Sequence, residues 1–202
     1  MDALTGEPLA LDLINTRAHT PDGDVDFLET AEGLSAWLAL QSARLPAIPG
    51  GPPGGEAVSD GWVAAVRSLR EHVESAVTAV ADGAPLPADA VAALNEAALR
   101  APSSLSLGPS GVISRRAAPP LDRLLAELAE SAITLLGGSE AAKIKSCEAP
   151  GCRMFFLPAH PRRRWCSPEL CGNRVRVARH YRRARVGRPR RTAGDDREDG
   201  QL

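Results

Sequence analysis

Four cysteines constrain this chain more than any other feature. Cys147, Cys152, Cys166 and Cys171 fall within 25 residues as two Cys-x4-Cys pairs separated by thirteen residues, and the 146 residues before them contain none. A disulfide framework spreads through the domain it staples and belongs to an exported chain. Here Met1 to Ala10 carries Asp2 and Glu7 in place of a basic start and apolar core, so no secretory signal is expected. No run of eighteen apolar residues occurs, so no membrane span is expected and the chain is placed in the cytoplasm. A local metal site is the better reading. Two pairs, each close in sequence, can clamp opposite sides of one tetrahedral ion while the insert turns the chain back.

The residues around the pairs point to zinc. Pro150-Gly151 in the first pair is a turn dipeptide that bends the chain around the sulfurs. The insert, with Met154, Phe155, Phe156 and Leu157 before Pro158 and Pro161 and then Trp165, reads as two short strands joined by a Pro-rich turn. The second pair opens a helix, with Ser167 as N-cap, Pro168 at its first position and Glu169 in its first turn. Knuckle, hairpin and helix in that order describe a small treble-clef-like zinc module. Iron–sulfur clusters also use four cysteines, but the compact hairpin–helix context favours one structural Zn2+ per chain. His160 and His180 are available as substitute ligands, though four thiolates need neither and leave no open coordination position for hydrolysis.

Charge divides at the same place. A formal net charge of −1 over 202 residues suggests no affinity for polyanions. Residues 1–142, however, hold 8 Lys and Arg against 19 Asp and Glu, a net of −11; residues 143–191 hold 15 against 2, a net of +13; residues 192–202 net −3. The predicted organisation is an acidic domain over 1–142, a zinc finger over 143–186, and a basic arm with an acidic tail over 187–202. The finger's basic residues between 146 and 191 are all arginine, whose guanidinium fork matches phosphate and guanine edges. Arg174, Arg176, Arg179, Arg182, Arg183 and Arg185 ride on the second-pair helix, Arg162, Arg163 and Arg164 approach from the hairpin, and Arg188, Arg190 and Arg191 lie beyond. Arg176, Arg179 and Arg183 form one stripe, and Leu170, Val177, Tyr181 and Ala184 another. Self-repulsion among so many arginines is relieved by a polyanion. DNA is the expected partner, with duplex favoured over single strands because the arginines sit on a helix. Acidic regions of the same chain are a second candidate to cover the helix.

The N-terminal domain reads as mostly helical, making the whole chain mainly α. A short helix spans Leu9, Leu13 and Ile14, and a second begins after the N-cap Thr30 with Leu34, Trp37, Leu38 and Gln41 inward. Residues 43–59, with four prolines and four glycines, form a loop. The strongest stripe is Trp62, Val63, Val66, Leu69, Val73, Ala76, Val77 and Val80, ended near Gly83 and Pro85. Another helix places Val91, Leu94 and Ala98 inward, a hairpin turns at Gly-Pro-Ser-Gly between Ser103 and Arg116, and a last stripe runs from Leu121 to Leu136. No phosphate loop, nucleophile elbow or paired carboxylate–histidine set occurs, and His19 and His72 read as solvated or hydrogen-bonded surface histidines, so no enzyme is expected. With aromatic residues at 3%, Trp37 and Trp62 read as core anchors.

From Trp165 through Cys166-Ser167-Pro168-Glu169-Leu170-Cys171 to Gly172-Asn173-Arg174, the chain resembles the CGNR zinc-finger family, and the match extends back through Arg162–Arg164 to the first pair. Leu11-Asp12-Leu13-Ile14-Asn15-Thr16 and the Leu34–Leu40 segment resemble the ABATE domain that precedes this finger. The resemblance implies a bacterial stress-linked transcription regulator, nucleoid-associated, with zinc on the four cysteines and DNA as partner. The N-terminal domain would then dimerise or sense a small-molecule effector. An adaptor docking an acidic protein and an RNA-binding protein are the alternatives. Family members often carry an acidic residue after the Phe strand, where Leu157-Pro158 stands here, so a hairpin contact is expected to be missing. Asn173 and Arg174 read as structural, satisfying backbone groups and packing over the hairpin, with base reading by Arg174 as the alternative.

Overall fold

A computed structural model describes residues 5–20, 23–45 and 58–186, with side chains at all of these except 20, 170 and 182–186. Most of the 43–59 loop, the basic arm with Arg188, Arg190 and Arg191, and the acidic tail lie outside the described residues. So do the side chains of Arg182, Arg183 and Arg185.

The short helix α1 (Leu9–Ile14) is buried at every position, including Asp12. That carboxylate accepts the N–H groups of Gly6 (3.1 Å) and Glu7 (3.2 Å) and is met by Gln41 and Arg44 from the second helix and just beyond it. The burial of Gln41 on an otherwise apolar stripe is thereby explained, since a buried amide needs a partner. Helix α2 (Ala31–Leu40) begins where expected, with the Thr30 hydroxyl accepting the Gly33 N–H at 3.1 Å. Trp37 and Trp62 are both buried in the core.

Helix α3 (Asp60–Ala81) buries the predicted stripe from Trp62 to Val77, leaves its last member Val80 half-buried and stops at Gly83, whose φ of 69° is a left-handed conformation that favours glycine. It packs with α4 (Ala88–Arg100) and α5 (Pro120–Gly137), and α1 lies across α3 and α5. In α4 the inward positions are Ala90 and Leu94; Val91 is exposed and Ala98 only half-buried, so the helix is rotated from the expected face. The Gly-Pro-Ser-Gly hairpin is present as β3 (Ser104–Gly108) and β4 (Gly111–Arg115), but neither strand contributes to the core. Leu105, Leu107 and Val112 share one of its faces and are 72–88% exposed.

A second hairpin has no counterpart in the periodic pattern of the sequence. Strands β1 (Arg17–Thr20) and β2 (Gly23–Asp26) pair antiparallel directly after α1. The turn chemistry was available in Pro21-Asp22-Gly23, a turn-forming tripeptide between short strands. What holds the hairpin is a buried ion pair. Arg70, fully buried on the core face of α3, donates from Nη1 and Nη2 to the two Asp26 carboxylate oxygens at 2.6 Å each, and from Nη1 to Thr16 Oγ1 at 2.8 Å. Burial alone would raise the Asp26 carboxyl; the Arg70 and Leu28 hydrogen bonds and the charges of Arg70 and Arg67 outweigh it and hold it below the usual carboxylate range.

Candidate metal centre

The C-terminal module begins with β5 (Lys145–Ser146), which pairs with β6 (Phe155–Phe156). This corrects the expected hairpin: both strands do not lie in the insert, because the first cysteine pair is itself the turn. The Cys147 N–H donates to Met154 O at 2.9 Å and the Cys152 N–H to Ala149 O at 3.0 Å, closing the chain around Pro150-Gly151. Gly151 has a φ of +77°, a left-handed conformation that favours glycine, and an added Cβ there would press on the His19 ring at 3.1 Å. His19 itself is tied to Asp24 at 2.8 Å across the β1–β2 hairpin.

The second pair stands at the entrance to the final helix. Ser167 Oγ accepts the Glu169 N–H at 3.1 Å, as an N-cap should, and Pro168–Gly172 makes one wide π-type turn before α6 (Asn173–Val186). That turn swings Cys171 back towards Cys166, their sulfurs 3.5 Å apart.

All four Sγ atoms lie within 4.8 Å of one another, and Cys152 Sγ to Cys166 Sγ is 3.9 Å. Four sulfurs about 2.3 Å from a central ion stand about 3.8 Å apart, so the set fits one tetrahedral zinc. No disulfide joins them. Hydrogen bonds from the Cys152 and Cys166 thiols, then the Cys166 and Ala149 N–H groups, outweigh burial and hold Cys147 low as a thiolate, while donating to it, together with burial, pushes Cys152 and Cys166 up. Sulfurs this crowded ionise together only around a cation. Cys147, Cys166 and Cys171 are buried, and a small core of Ala149, Met154 and Phe156 surrounds them. His160 and His180 lie outside this set: His160 accepts the Arg162 N–H and His180 stacks edge-on against Tyr181.

The module is seated on the N-terminal domain by polar contacts to the free edge of β6. Asn15 bonds both the N–H and the carbonyl of Phe155, and Glu7 Oε2 accepts the Leu157 N–H at 2.9 Å. A carboxylate thus meets the chain at Leu157, but it comes from the other domain. Ala18 packs on the finger core, Phe155 belongs to the main core, and Arg153 pairs with Glu74 at 3.2 Å.

The arginines divide by what they touch. Arg163 faces inward, with Nε on Trp165 O (3.1 Å) and Nη2 on Glu7 Oε1 (2.8 Å) and Cys166 O, its guanidinium 4.4 Å above the Phe156 ring. Arg174 reaches Pro150 O and Cys171 Sγ, so it packs over the knuckle. Arg176 folds onto Gly172 O and the Asn173 side chain, and Arg164 pairs with Glu148. Arg162 and Arg179 are exposed and, among the described residues, form no ion pair. On α6, Val177 and Tyr181 are exposed as well, at 53% and 66%.

One family model, ABATE, described as "Putative stress-induced transcription regulator", matches residues 7–139. The chain belongs to this family. A second model, the CGNR zinc finger, matches residues 143–184 and takes in all four cysteines. ABATE and CGNR are regulator and zinc-finger types rather than enzyme families. No curated protein matches the chain. Among the described residues of this ABATE protein, no helix is long and apolar enough to cross a membrane.

Proposed function

We propose that this ABATE–CGNR chain is a zinc-dependent DNA-binding transcription regulator in which α6 is the contact helix. The observation that supports the reading best is that α6 leaves the zinc module with every described side chain from Arg176 to Tyr181 exposed. A helix whose surroundings bury none of these residues is available for a groove. We assign phosphate contact to Arg162, Arg164, Arg176, Arg179, Arg182, Arg183 and Arg185, and an inward role to Arg163 and Arg174. The domain boundary lies between 142 and 143, with a basic arm and acidic tail after 186.

Seven phosphate contacts give log K against log salt a slope of about −6. The test is a gel shift on the zinc-loaded chain with bound DNA recovered and sequenced. Binding weakens steeply with salt and is lost in R176A/R179A/R183A. Unchanged binding in that variant removes α6 from the interface, and recovery of RNA or of an acidic protein in place of DNA selects one of the alternatives.

The N-terminal domain's share is dimerisation. Ser104–Gly108 is an edge strand without a charge or proline, the devices that keep edges apart. Antiparallel pairing of this strand with a second copy about Ser106 sets Leu105 opposite Leu107 of that copy and covers the exposed leucines.

A further inference from the structure

We propose that Glu7, in the ABATE domain, is a positioning residue for the zinc centre of the finger and acts through Arg163. The inference is independent of DNA binding. Glu7 divides its carboxylate between two parts of the finger, Oε1 on the Arg163 guanidinium at 2.8 Å and Oε2 on the Leu157 N–H at 2.9 Å. Neither charge is well solvated, with side-chain exposures of 16% for Glu7 and 29% for Arg163.

Arg163 also donates from Nε to the Trp165 carbonyl and from Nη2 to the Cys166 carbonyl, and its plane lies on the fully buried Phe156 ring. Those two carbonyls belong to the peptide groups on either side of the Cys166 Cα. The N–H between them donates to Cys147 Sγ at 3.3 Å. The guanidinium therefore sets the backbone from which one ligand sulfur projects and the hydrogen bond that a second one receives. A planar fork can hold two carbonyls and a carboxylate at once, which an ammonium on a flexible stem cannot do. Glu7 supplies the countercharge that keeps the fork turned inward instead of towards water.

Outer partners of this kind tune metal affinity by about 10- to 100-fold. Because the Glu7–Arg163 pair crosses between domains, coupling is reciprocal: the factor by which Glu7 tightens zinc is the factor by which zinc tightens the finger's seat on the ABATE domain. Metal occupancy then governs how firmly α6 is presented.

The experiment is competition between the full-length, zinc-loaded chain and a chromophoric zinc chelator. E7Q keeps an acceptor for Leu157 but removes the charge; it weakens zinc retention about tenfold, R163K does the same, and the double variant is no worse than either. L94A, which empties a buried position on α4 away from the finger, lowers the unfolding midpoint and leaves the chelator competition unchanged. Zinc retention within twofold of the parent in E7Q, or additive losses in the double variant, overturns the proposal. Should E7Q fail to fold, R163K carries the test alone, and zinc retention in it within twofold of the parent overturns the proposal.

Discussion

Asn15 acts on Phe155 as a neighbouring strand would: its Nδ2 donates to the Phe155 carbonyl at 2.8 Å and its Oδ1 accepts the Phe155 N–H at 2.9 Å. One side chain satisfies both backbone groups on the outer edge of β6, across 140 residues of sequence. Truncation in N15A leaves a buried donor and a buried acceptor unpaired, at about 1–3 kcal/mol for each group. Urea unfolding is expected to register that loss, with faster hydrogen exchange at Phe155. N15D keeps the acceptor but presents negative charge to the carbonyl, so it fails to restore stability.

Metal analysis is expected to find one zinc per chain, since one set of four thiols is present among the described residues. The ligand cysteines themselves make up much of the finger core, so chelation removes its centre. Hydrogen-exchange mass spectrometry after chelation should show lost protection in β5, β6 and α6 and retained protection in α3 and α5. Iron in the purified protein, or a finger unaffected by chelation, contradicts the assignment.

Acid stability depends on Asp26. Its native pKa lies below the unfolded value of about 3.9. On acidification the unfolded chain therefore binds the proton first. The contribution of the Arg70 pair is complete above that unfolded value and is lost as pH falls through the native one. Urea midpoints of the parent chain are expected to drop more steeply below pH 4 than those of D26N. At pH 7, D26A strands a buried guanidinium and costs about 3–5 kcal/mol. Parallel pH profiles in parent and D26N count against the pair as the source.

Self-association through β3 is read by sedimentation velocity. The parent chain is expected to dimerise at micromolar concentration, and L105E/L107E to be monomeric with an unchanged circular dichroism spectrum. A monomeric parent, or a dimer that survives the double substitution, places the interface elsewhere or removes it.

Much of the fold is legible in the chain because it rests on local periodicity. The α3 stripe from Trp62 to Val77, the Thr30 cap and the Gly-Pro-Ser-Gly hairpin all stand where spacing and turn chemistry put them. The β1–β2 hairpin was harder to see because Arg70, an arginine on the apolar face of α3, pairs with Asp26, and no periodic pattern announces a buried ion pair. The finger's register escaped for a related reason. β6, in the apolar run after the knuckle, pairs backwards with Lys145–Ser146, two polar residues that carry no strand pattern of their own.

By itself the sequence determined the ligand set, the helical framework and the concentration of arginine beside the cysteines, since each is written in spacing along a few turns of chain. Which arginines remain available was decided only in three dimensions. Arg163 is drawn inward by Glu7, 156 residues away, and Arg174 by the carbonyl of Pro150, while Arg162 and Arg179 stand exposed. Formal charge counts every guanidinium alike. Folding distinguishes them, because a guanidinium that finds a carboxylate and two carbonyls in a half-buried site is held there more firmly than one in water.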